Sequence, residues 1–369
     1  MINRKDHLSS PRSLSVGLIL GVLLISILLG QQASHAQALQ PDDWGTPIPP
    51  PPFTTNYTIY TQNFSYAEPF RITDMRSSDN NPIESYDMHT LDIYRPVEDG
   101  MLLENRPVVF FVHGGGWTEG YRRWFRSLSW SFTGQLGWIT VVVDYRLTGY
   151  EVFIADQYCP DRETCGLPEN ANLRSKAAEY PDNIQDVAAA MRWTRDWIGE
   201  QGGNPTAIFG LGYSAGAHLI TLLATHPDYA DLRPALRAIA ALSGPYNLAS
   251  KDFKEDYLFV LAPTFGVPLD NIELADASPQ SQISGVDWLP PMQLLHAQHD
   301  LPYLNDQTIQ LAQSIHDKSL SVETVYLQGY SHDSEMFALQ YVDEYPTQQI
   351  IQFFESYLSS VNYLPLIPH

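Results

Sequence analysis

The chain has 369 residues, of which 44% are hydrophobic and 12% aromatic, enough for one large domain or two average ones. Its formal net charge at pH 7 is −21. A surface this acidic repels phosphate backbones, so nucleic acids are excluded as expected partners and polyanionic substrates are disfavoured.

Residues 1–36 have the features of an export signal. Basic residues precede an almost wholly apolar run at 14–29, and small residues at Ser34, Ala36 and Ala38 are placed for cleavage. The apolar run is short for a membrane span of about 20 residues, so cleavage is preferred over an uncleaved anchor. We therefore expect a secreted, periplasmic or extracellular protein with no stable membrane span after cleavage.

Residues 37–56 are rich in proline, which favours an extended linker over packed structure. The linker leads into one domain at 57–360, and an apolar, proline-containing tail follows at 361–369. Within the domain, short apolar segments alternate with segments of helical period. Strands are predicted at 58–66, 70–75, 89–94, 108–112, 138–143, 207–211, 238–242, 292–296 and 322–327, and helices at 182–199, 215–224, 304–316 and 347–358.

This alternation predicts a mostly parallel sheet with helices on both faces, an α/β fold. Residues 148–180 break the alternation and form an insertion, either a cap over the carboxyl edge of the sheet or a surface loop. The insertion holds both cysteines of the chain, Cys159 and Cys165, which we expect to form a disulfide in an exported protein. A metal site is the competing interpretation, but two thiols without a nearby histidine pair make it weak, and no metal is expected.

The segment 212–216 reads Gly-Tyr-Ser-Ala-Gly and stands between an apolar strand and a predicted helix. This context predicts a tight strand-to-helix turn that pushes the Ser214 hydroxyl out above the sheet. Since a serine hydroxyl is a poor nucleophile at neutral pH, it needs a base within hydrogen-bond reach. Ser214 is therefore the predicted nucleophile.

A second motif, His-Gly-Gly-Gly-Trp at 113–117, follows the apolar strand 108–112. Three consecutive glycines can turn backbone N–H groups toward one point, as an oxyanion hole requires. We assign that role to the amides of Gly114, Gly115 and Ala215, with Gly116 as a possible replacement for one of them. The preceding His113 is expected to brace the loop.

The pocket is expected to include two aromatic side chains that flank these motifs, Trp117 and Tyr213. For Trp117, core packing is an equally good interpretation.

The order of groups along the chain then selects the acid and the base. A hydrolase with this nucleophile turn carries an acid and then a histidine after the serine. His332 follows the last apolar strand, in a predicted loop, and Asp300 follows the strand 292–296. Both stand at carboxyl ends of strands, where Ser214 also lies, so we predict a Ser214–His332–Asp300 triad. Asp287 and Asp333 are the competing acids.

The sequence resembles the α/β-hydrolase carboxylesterases of the hormone-sensitive-lipase-like and BD-FAE-like (bacterial feruloyl-esterase-like) groups. The resemblance implies an eight-stranded, mostly parallel sheet and a Ser-Asp-His triad, whose positions match Ser214, Asp300 and His332. The sequence departs from the pattern of these families at two places: the long insertion at 148–180, and Ala217, where many relatives have glycine. The motifs that carry the resemblance are Leu-Asp-Ile-Tyr-Arg-Pro at 91–96, 113–117, Asp-Tyr-Arg-Leu at 144–147, Asp-Val-Ala-Ala-Ala at 186–190, 212–216, Asp-Leu-Pro at 300–302 and His332.

The expected function is that of a secreted serine hydrolase that cleaves small-molecule or polymer-linked carboxylic esters through an acyl-enzyme, without a cofactor. Two alternatives stay open. One is amide chemistry on the same fold, as in an arylformamidase, another amidase or a peptidase, although an export signal argues against an intracellular formamidase. The other is a non-catalytic binding module, which would have no need of all three triad groups.

Overall fold

The computed structural model describes residues 47–48, 51, 53–68, 71–72, 86–148 and 178–358. The predicted signal peptide, the tail, most of the linker and nearly all of the insertion lie outside these residues. Both cysteines do as well, so the disulfide between them stays a prediction.

The described strands form one large sheet and one small one. The large sheet has the order β1-β4-β7-β6-β8-β9-β10-β11, with short β5 beside β4, and β2 pairs with β3 separately. Neighbours from β7 to β11 are parallel, whereas β1, β5 and β7 each pair with β4 antiparallel. Strands β1 to β11 are Thr58–Ser65, Arg71–Ile72, Tyr86–Asp87, Thr90–Glu98, Met101–Leu102, Arg106–Val112, Ile139–Val143, Gly203–Tyr213, Leu236–Leu242, Met292–His299 and Val322–Ser331.

Helices cover this sheet. Among the described residues, no helix is both long enough and apolar enough to cross a membrane. Short 3-10 turns lie at Arg122–Phe125, Ile198–Gln201, Pro227–Tyr229, Arg233–Ala235 and Ile283–Gly285, and a π-helical turn at Trp130–Gln135. The α-helices α1 to α9 are Asp182–Trp197, Ala215–Thr225, Lys251–Asp256, Leu258–Phe265, Asn271–Asp276, Pro279–Gln282, Leu304–Asp317, His332–Ala338 and Tyr345–Leu358.

Two hydrophobic cores, one on each face of the sheet, explain why the central strands are apolar throughout. In β6, Phe110 contributes to the core that contains residues of α1, α2 and α7, while Phe111 contributes to the core that contains residues of α8 and α9. Successive side chains of a strand point to opposite faces, so a strand buried on both faces needs a continuous apolar run. The predicted α/β architecture is confirmed, with short β5 as a ninth strand.

Strand β4 differs from the prediction, because it does not end at Arg95 and Pro96 but runs on to Glu98. Proline has no backbone N–H to donate to a neighbouring strand. Pro96 is tolerated because β4 pairs with β7 only from Leu91 to Tyr94, so the missing N–H interrupts no hydrogen bond to β7.

The segment 251–282 also differs, because it forms four short helices, α3 to α6, where the sequence predicted no regular element. Each is at most eight residues long, too short for a helical period to stand out in the sequence.

Candidate active site

Ser214 occupies the turn between β8 and α2, with a backbone φ of 54° and ψ of −120°. A positive φ is unusual for a residue with a side chain, and such strain persists only where surrounding contacts hold it. Here the Ser214 N–H donates to the Leu242 carbonyl at 2.8 Å, and the Ser214 carbonyl accepts from the His218 N–H at 3.0 Å. These two bonds hold the turn at the carboxyl end of β8.

Gly216 allows α2 to cross the sheet closely behind this turn. A Cβ at Gly216 would lie 2.0 Å from the Val112 carbonyl oxygen, a distance that no side chain can occupy. The second glycine of the Gly-x-Ser-x-Gly motif is therefore a steric requirement of the turn.

His332 and Asp300 lie beside Ser214, as the chain order predicts. The distance between His332 Nε2 and Ser214 Oγ is 3.0 Å, and that between His332 Nδ1 and Asp300 Oδ1 is 2.7 Å. An ionised carboxylate can only accept, so Nδ1–H donates to Asp300 and Nε2 is left to accept the serine proton. The imidazole is thus held in the tautomer that a general base needs.

Asp300 is fixed by donors on several sides. Its side chain is 0% exposed. Besides His332, it accepts from the Ser243 hydroxyl at 2.6 Å and from the Leu301 N–H at 2.8 Å. Because a buried carboxylate needs hydrogen-bond donors, these contacts satisfy its oxygens and fix its orientation.

His332 begins helix α8 instead of lying in a loop, because β11 continues to Ser331. The polar segment 328–331 does not look like a strand in the sequence, yet Ser331 still pairs with His299 after an irregularity in the register. The Ser331 side chain then caps α8 by accepting from the Ser334 N–H. The base is consequently carried by a strand end and a capped helix, which hold it rigidly.

The glycine loop after β6 lies against the nucleophile turn. A Cβ at Gly114 would come within 3.0 Å of Ser214 Cβ. The Gly115 carbonyl accepts from the N–H groups of Thr118 and Glu119, at 3.1 and 2.9 Å, which curls the loop back on itself. In the described part of the chain, the N–H groups of Gly114, Gly115 and Ala215 are paired with no acceptor. Gly114 packs against Ser214 and Ala215 follows it directly, so two of these free donors adjoin the nucleophile, as the predicted oxyanion hole requires.

His113 braces this loop, as the sequence predicts. It is 0% exposed, its Nδ1 donates to the Gly114 carbonyl at 2.8 Å, and its ring stacks on Tyr145 at a centroid distance of 4.4 Å. Burial lowers the pKa of His113, which favours the neutral ring. Asp144 lies behind it and pairs with Arg122, also in the buried interior. Asp144 and Tyr145, the first two residues of the Asp-Tyr-Arg motif, thus support the loop through His113.

Trp117 lies in the core, at 2% exposure. Its indole N–H donates to His218 Nδ1 at 3.2 Å, and His218 Nε2–H donates to the Ala277 carbonyl at 2.7 Å. These contacts favour the packing role that the sequence left open for Trp117 over a role as a pocket wall. Burial lowers the pKa of His218 to about 4, so this histidine is neutral at pH 7.

Tyr213, the other predicted pocket residue, lies beside the base. Its ring centroid is 5.0 Å from that of His332, and its hydroxyl donates to Asp333 Oδ1 at 3.3 Å. Asp333, one of the competing acids, is therefore paired with Tyr213, whereas Asp300 is paired with the imidazole.

Helix α4 packs against the glycine loop through Val260. Val260 Cγ1 lies 3.1 Å from the position of a Cβ at Gly116. Farther along α4, Thr264 bonds to both ends of the predicted insertion, through the hydroxyl of Thr148 at 2.8 Å and the N–H of Tyr180 at 2.9 Å. Both ends of the insertion are thus anchored at the helix that flanks the glycine loop.

Sequence reasoning did not assign Ser243, Val260 or Glu335 to this site. Ser243 follows β9 directly, so its place at a carboxyl strand end is a signal that could have found it. Val260 and Glu335 lie on helices that the sequence did not predict. Among the described residues, no cluster of histidine, cysteine and acidic side chains could hold a metal ion.

Residues 170–315 match the BD-FAE family model. The match covers Ser214 and Asp300 and ends before His332.

Two curated proteins of Mycobacterium tuberculosis are similar in sequence. The probable carboxylic ester hydrolase LipM is 29% identical over 222 residues, which are 57% of this chain and 44% of LipM. Esterase LipQ is 28% identical over 205 residues, 53% of this chain and 42% of LipQ. The chain thus spans less than half the length of these relatives.

The crystal structure of esterase B from Lactobacillus rhamnosis has a similar fold, with a TM-score of 0.60 at 17% identity, covering 94% of this chain and 96% of that one. The predicted resemblance to α/β-hydrolase esterases is confirmed by these similarities, and so is the α/β-hydrolase fold.

Proposed function

We propose that the protein is a serine hydrolase that cleaves carboxylic esters. The observation that carries this proposal is the continuous path from Ser214 Oγ through His332 to Asp300, with distances of 3.0 and 2.7 Å, beside free backbone donors. The names of the similar proteins, carboxylic ester hydrolase and esterase, support the choice of ester substrates.

In the first half of the reaction, Ser214 Oγ attacks the ester carbonyl carbon while His332 Nε2 takes the hydroxyl proton. The carbonyl oxygen becomes an oxyanion, which the N–H groups of Gly114, Gly115 and Ala215 stabilise. The oxyanion then collapses, the bond to the alcohol oxygen breaks, and the imidazolium gives its proton to the departing alcohol. The product at this stage is an acyl-enzyme on Ser214.

In the second half, water attacks the acyl carbon and His332 Nε2 takes its proton. The second oxyanion collapses, the Ser214 oxygen leaves and regains the proton, and the carboxylic acid is released. Asp300 stays ionised throughout and stabilises the imidazolium that forms twice.

Labelling with a fluorophosphonate probe, together with hydrolysis of p-nitrophenyl acetate, tests this function. We expect the probe to modify Ser214 and to abolish hydrolysis, and the Ser214→Ala variant to show neither labelling nor turnover. An exposed serine, Ser281, provides the matched control, because Ser281→Ala should label and turn over like the unmodified protein. A folded protein that neither labels nor hydrolyses esters would favour a binding module.

The same assay separates ester from amide chemistry. With p-nitrophenyl acetate and N-formylkynurenine as substrates, we expect a higher kcat/KM for the ester. A higher value for the formamide would replace the esterase proposal with an arylformamidase.

The secretion of the protein is a separate proposal, which rests on the sequence of residues 1–36 alone. We expect expression of the full chain to yield an exported protein whose N-terminus begins after Ala36 or Ala38, which N-terminal sequencing checks. Mass spectrometry of the exported protein, alkylated without reduction, would test the disulfide between Cys159 and Cys165. Recovery of both cysteines in alkylated form would contradict it.

A further inference from the structure

Glu335 is a buried carboxyl group with no role in the steps above. It lies on α8, one helical turn after His332, and its residue is 0% exposed. Neither of its carboxylate oxygens has a hydrogen-bond partner in the described part of the chain. A buried ionised carboxylate without donors is strongly unfavourable, so this group needs an explanation.

Among the described residues, no positively charged group acts on Glu335. The charges that act on it are those of Asp300, in the loop after β10, and Asp333, on its own helix, and both are negative. The charge of Glu335 also acts on two buried hydroxyls, that of Tyr213 at the end of β8 and that of Tyr246 in the segment after β9, and raises the pKa of both. The nearby base His332 directs its two nitrogens to Ser214 and Asp300, away from Glu335.

Ser243 lies between Glu335 and Asp300. Its contact with Glu335 by itself lowers the pKa of that carboxyl, but its one hydroxyl proton is donated to Asp300 Oδ2 at 2.6 Å. A serine oxygen that donates in this way still has lone pairs that can accept. Only a protonated Glu335 can use them, because an ionised carboxylate has no proton to donate.

We propose that Glu335 is a neutral carboxylic acid whose O–H group donates a hydrogen bond to Ser243 Oγ and thereby positions Asp300 for His332. The chain of hydrogen bonds then runs from Glu335 through Ser243, Asp300 and His332 to Ser214. Glu335 is a positioning residue, since it touches neither the substrate nor the reacting atoms. Its effect on turnover rests on the proposed esterase function, whereas its protonation does not.

The electrostatics agree with this arrangement. Burial raises the pKa of Glu335 well above its usual range, the negative charges of Asp300 and Asp333 raise it further, and together they outweigh the opposing contact with Ser243, which lowers it. With Glu335 neutral, the buried charge of Asp300 faces the imidazole without a second buried carboxylate charge behind it. When the Ser243 hydroxyl accepts this hydrogen bond, the hydrogen bond that it donates to Asp300 becomes stronger, because linked hydrogen bonds polarise one another.

Infrared spectroscopy tests the protonation directly and without any substrate. We expect the spectrum of the unmodified protein at pH 7 to contain the carbonyl stretch of a protonated carboxylic acid, sensitive to deuterium exchange, and Glu335→Gln to lack it. The matched control is Glu355→Gln, which replaces an exposed glutamate on α9 and should retain the band. Absence of the band from the unmodified protein, or its persistence in Glu335→Gln, would overturn the proposal.

Kinetics test the positioning. Glutamine keeps a neutral donor at position 335, whereas leucine removes it. We expect kcat of Glu335→Leu to be about tenfold below that of Glu335→Gln at similar KM, the effect of about one lost buried hydrogen bond. Equal kcat values for the two folded variants would show that the donor does not matter, and would overturn the positioning role.

If Glu335→Leu fails to fold, Ser243→Ala provides a second test of the positioning role. It removes the middle of the chain by a small change, and we expect it to lower kcat about as much as Glu335→Leu does. In the Ser243→Ala background, the further change Glu335→Met, which removes the donor with an unbranched side chain, should have no additional effect on kcat, because the donor has already lost its acceptor. An additive loss in the double variant would contradict a path through Ser243. If the unmodified protein has no hydrolase activity, the infrared result still decides whether Glu335 is neutral.

Discussion

His332 Nε2 lies 3.0 Å from Ser214 Oγ, although 118 residues separate the two along the chain. The imidazole reaches the serine because β8 and β11 both end at the carboxyl edge of the sheet, each followed directly by the residue in question. Its other nitrogen is already bonded to Asp300. The proton acceptor is therefore oriented before any substrate binds.

Replacement of Asp300 by asparagine should remove this orientation with little change in shape. The amide N–H₂ can donate to Nδ1 and so favour the tautomer with the proton on Nε2, which cannot accept from Ser214. We expect kcat to fall by about 10³- to 10⁴-fold with KM little changed. Steady-state kinetics on p-nitrophenyl acetate measure this, and the exposed Asp287→Asn serves as the matched control. An equal loss in Asp287→Asn would contradict the assignment of the acid.

Gly216→Ala should destabilise the fold, because its Cβ would lie 2.0 Å from the backbone oxygen of Val112. The helix would have to move away from the sheet, and we expect a loss of about 2–4 kcal/mol in the free energy of unfolding. Urea denaturation followed by circular dichroism measures the loss. Gly199→Ala is the control, since a Cβ there meets nothing within 4 Å and stability should change by less than about 1 kcal/mol.

The stability of the protein should fall on acidification, in part through His218. Burial lowers its pKa to about 4 from an ordinary 6.5, so between these pH values the unfolded chain binds a proton that the folded chain does not. The contribution is fully present above pH 6.5 and is lost as the pH falls toward 4, by up to about 3 kcal/mol. Unfolding curves at several pH values measure this slope, and His218→Gln should flatten it. An unchanged slope in a folded His218→Gln variant would contradict the assignment.

Val260→Trp should shift the preference toward short acyl chains. Val260 lies on apolar helix α4 with Cγ1 3.1 Å from a Cβ position at Gly116, so a larger side chain there narrows the space above the glycine loop. We expect the ratio of kcat/KM for an octanoate ester to that for an acetate ester to fall about tenfold, the effect of one to two excluded methylene groups. Ile272→Trp, at an 81% exposed position on α5, is the control. A ratio that does not change in Val260→Trp would place the acyl chain elsewhere.

The sequence alone determined the features that depend on local sterics and periodicity. Continuous apolar runs such as 108–112 predict strands buried on two faces, and the glycines of 212–216 predict the turn at Ser214, because the close crossing of α2 leaves no room for a side chain. Chain order and strand ends were also enough to select His332 and Asp300 as candidates. In a parallel sheet, residues that follow different strands meet at one edge.

Only the tertiary structure decided which side chains are buried and which partners they find. It put Trp117 into the core against His218, paired Asp333 with Tyr213, and brought Ser243 and Glu335 to the far side of Asp300. The physical reason is that burial and hydrogen-bond pairing depend on how several elements pack together, and on short helices such as α4 and α8 that have no clear period of their own. A motif can identify the reacting serine, but the protonation state of a carboxyl group depends on its burial, the charges near it and its hydrogen bonds.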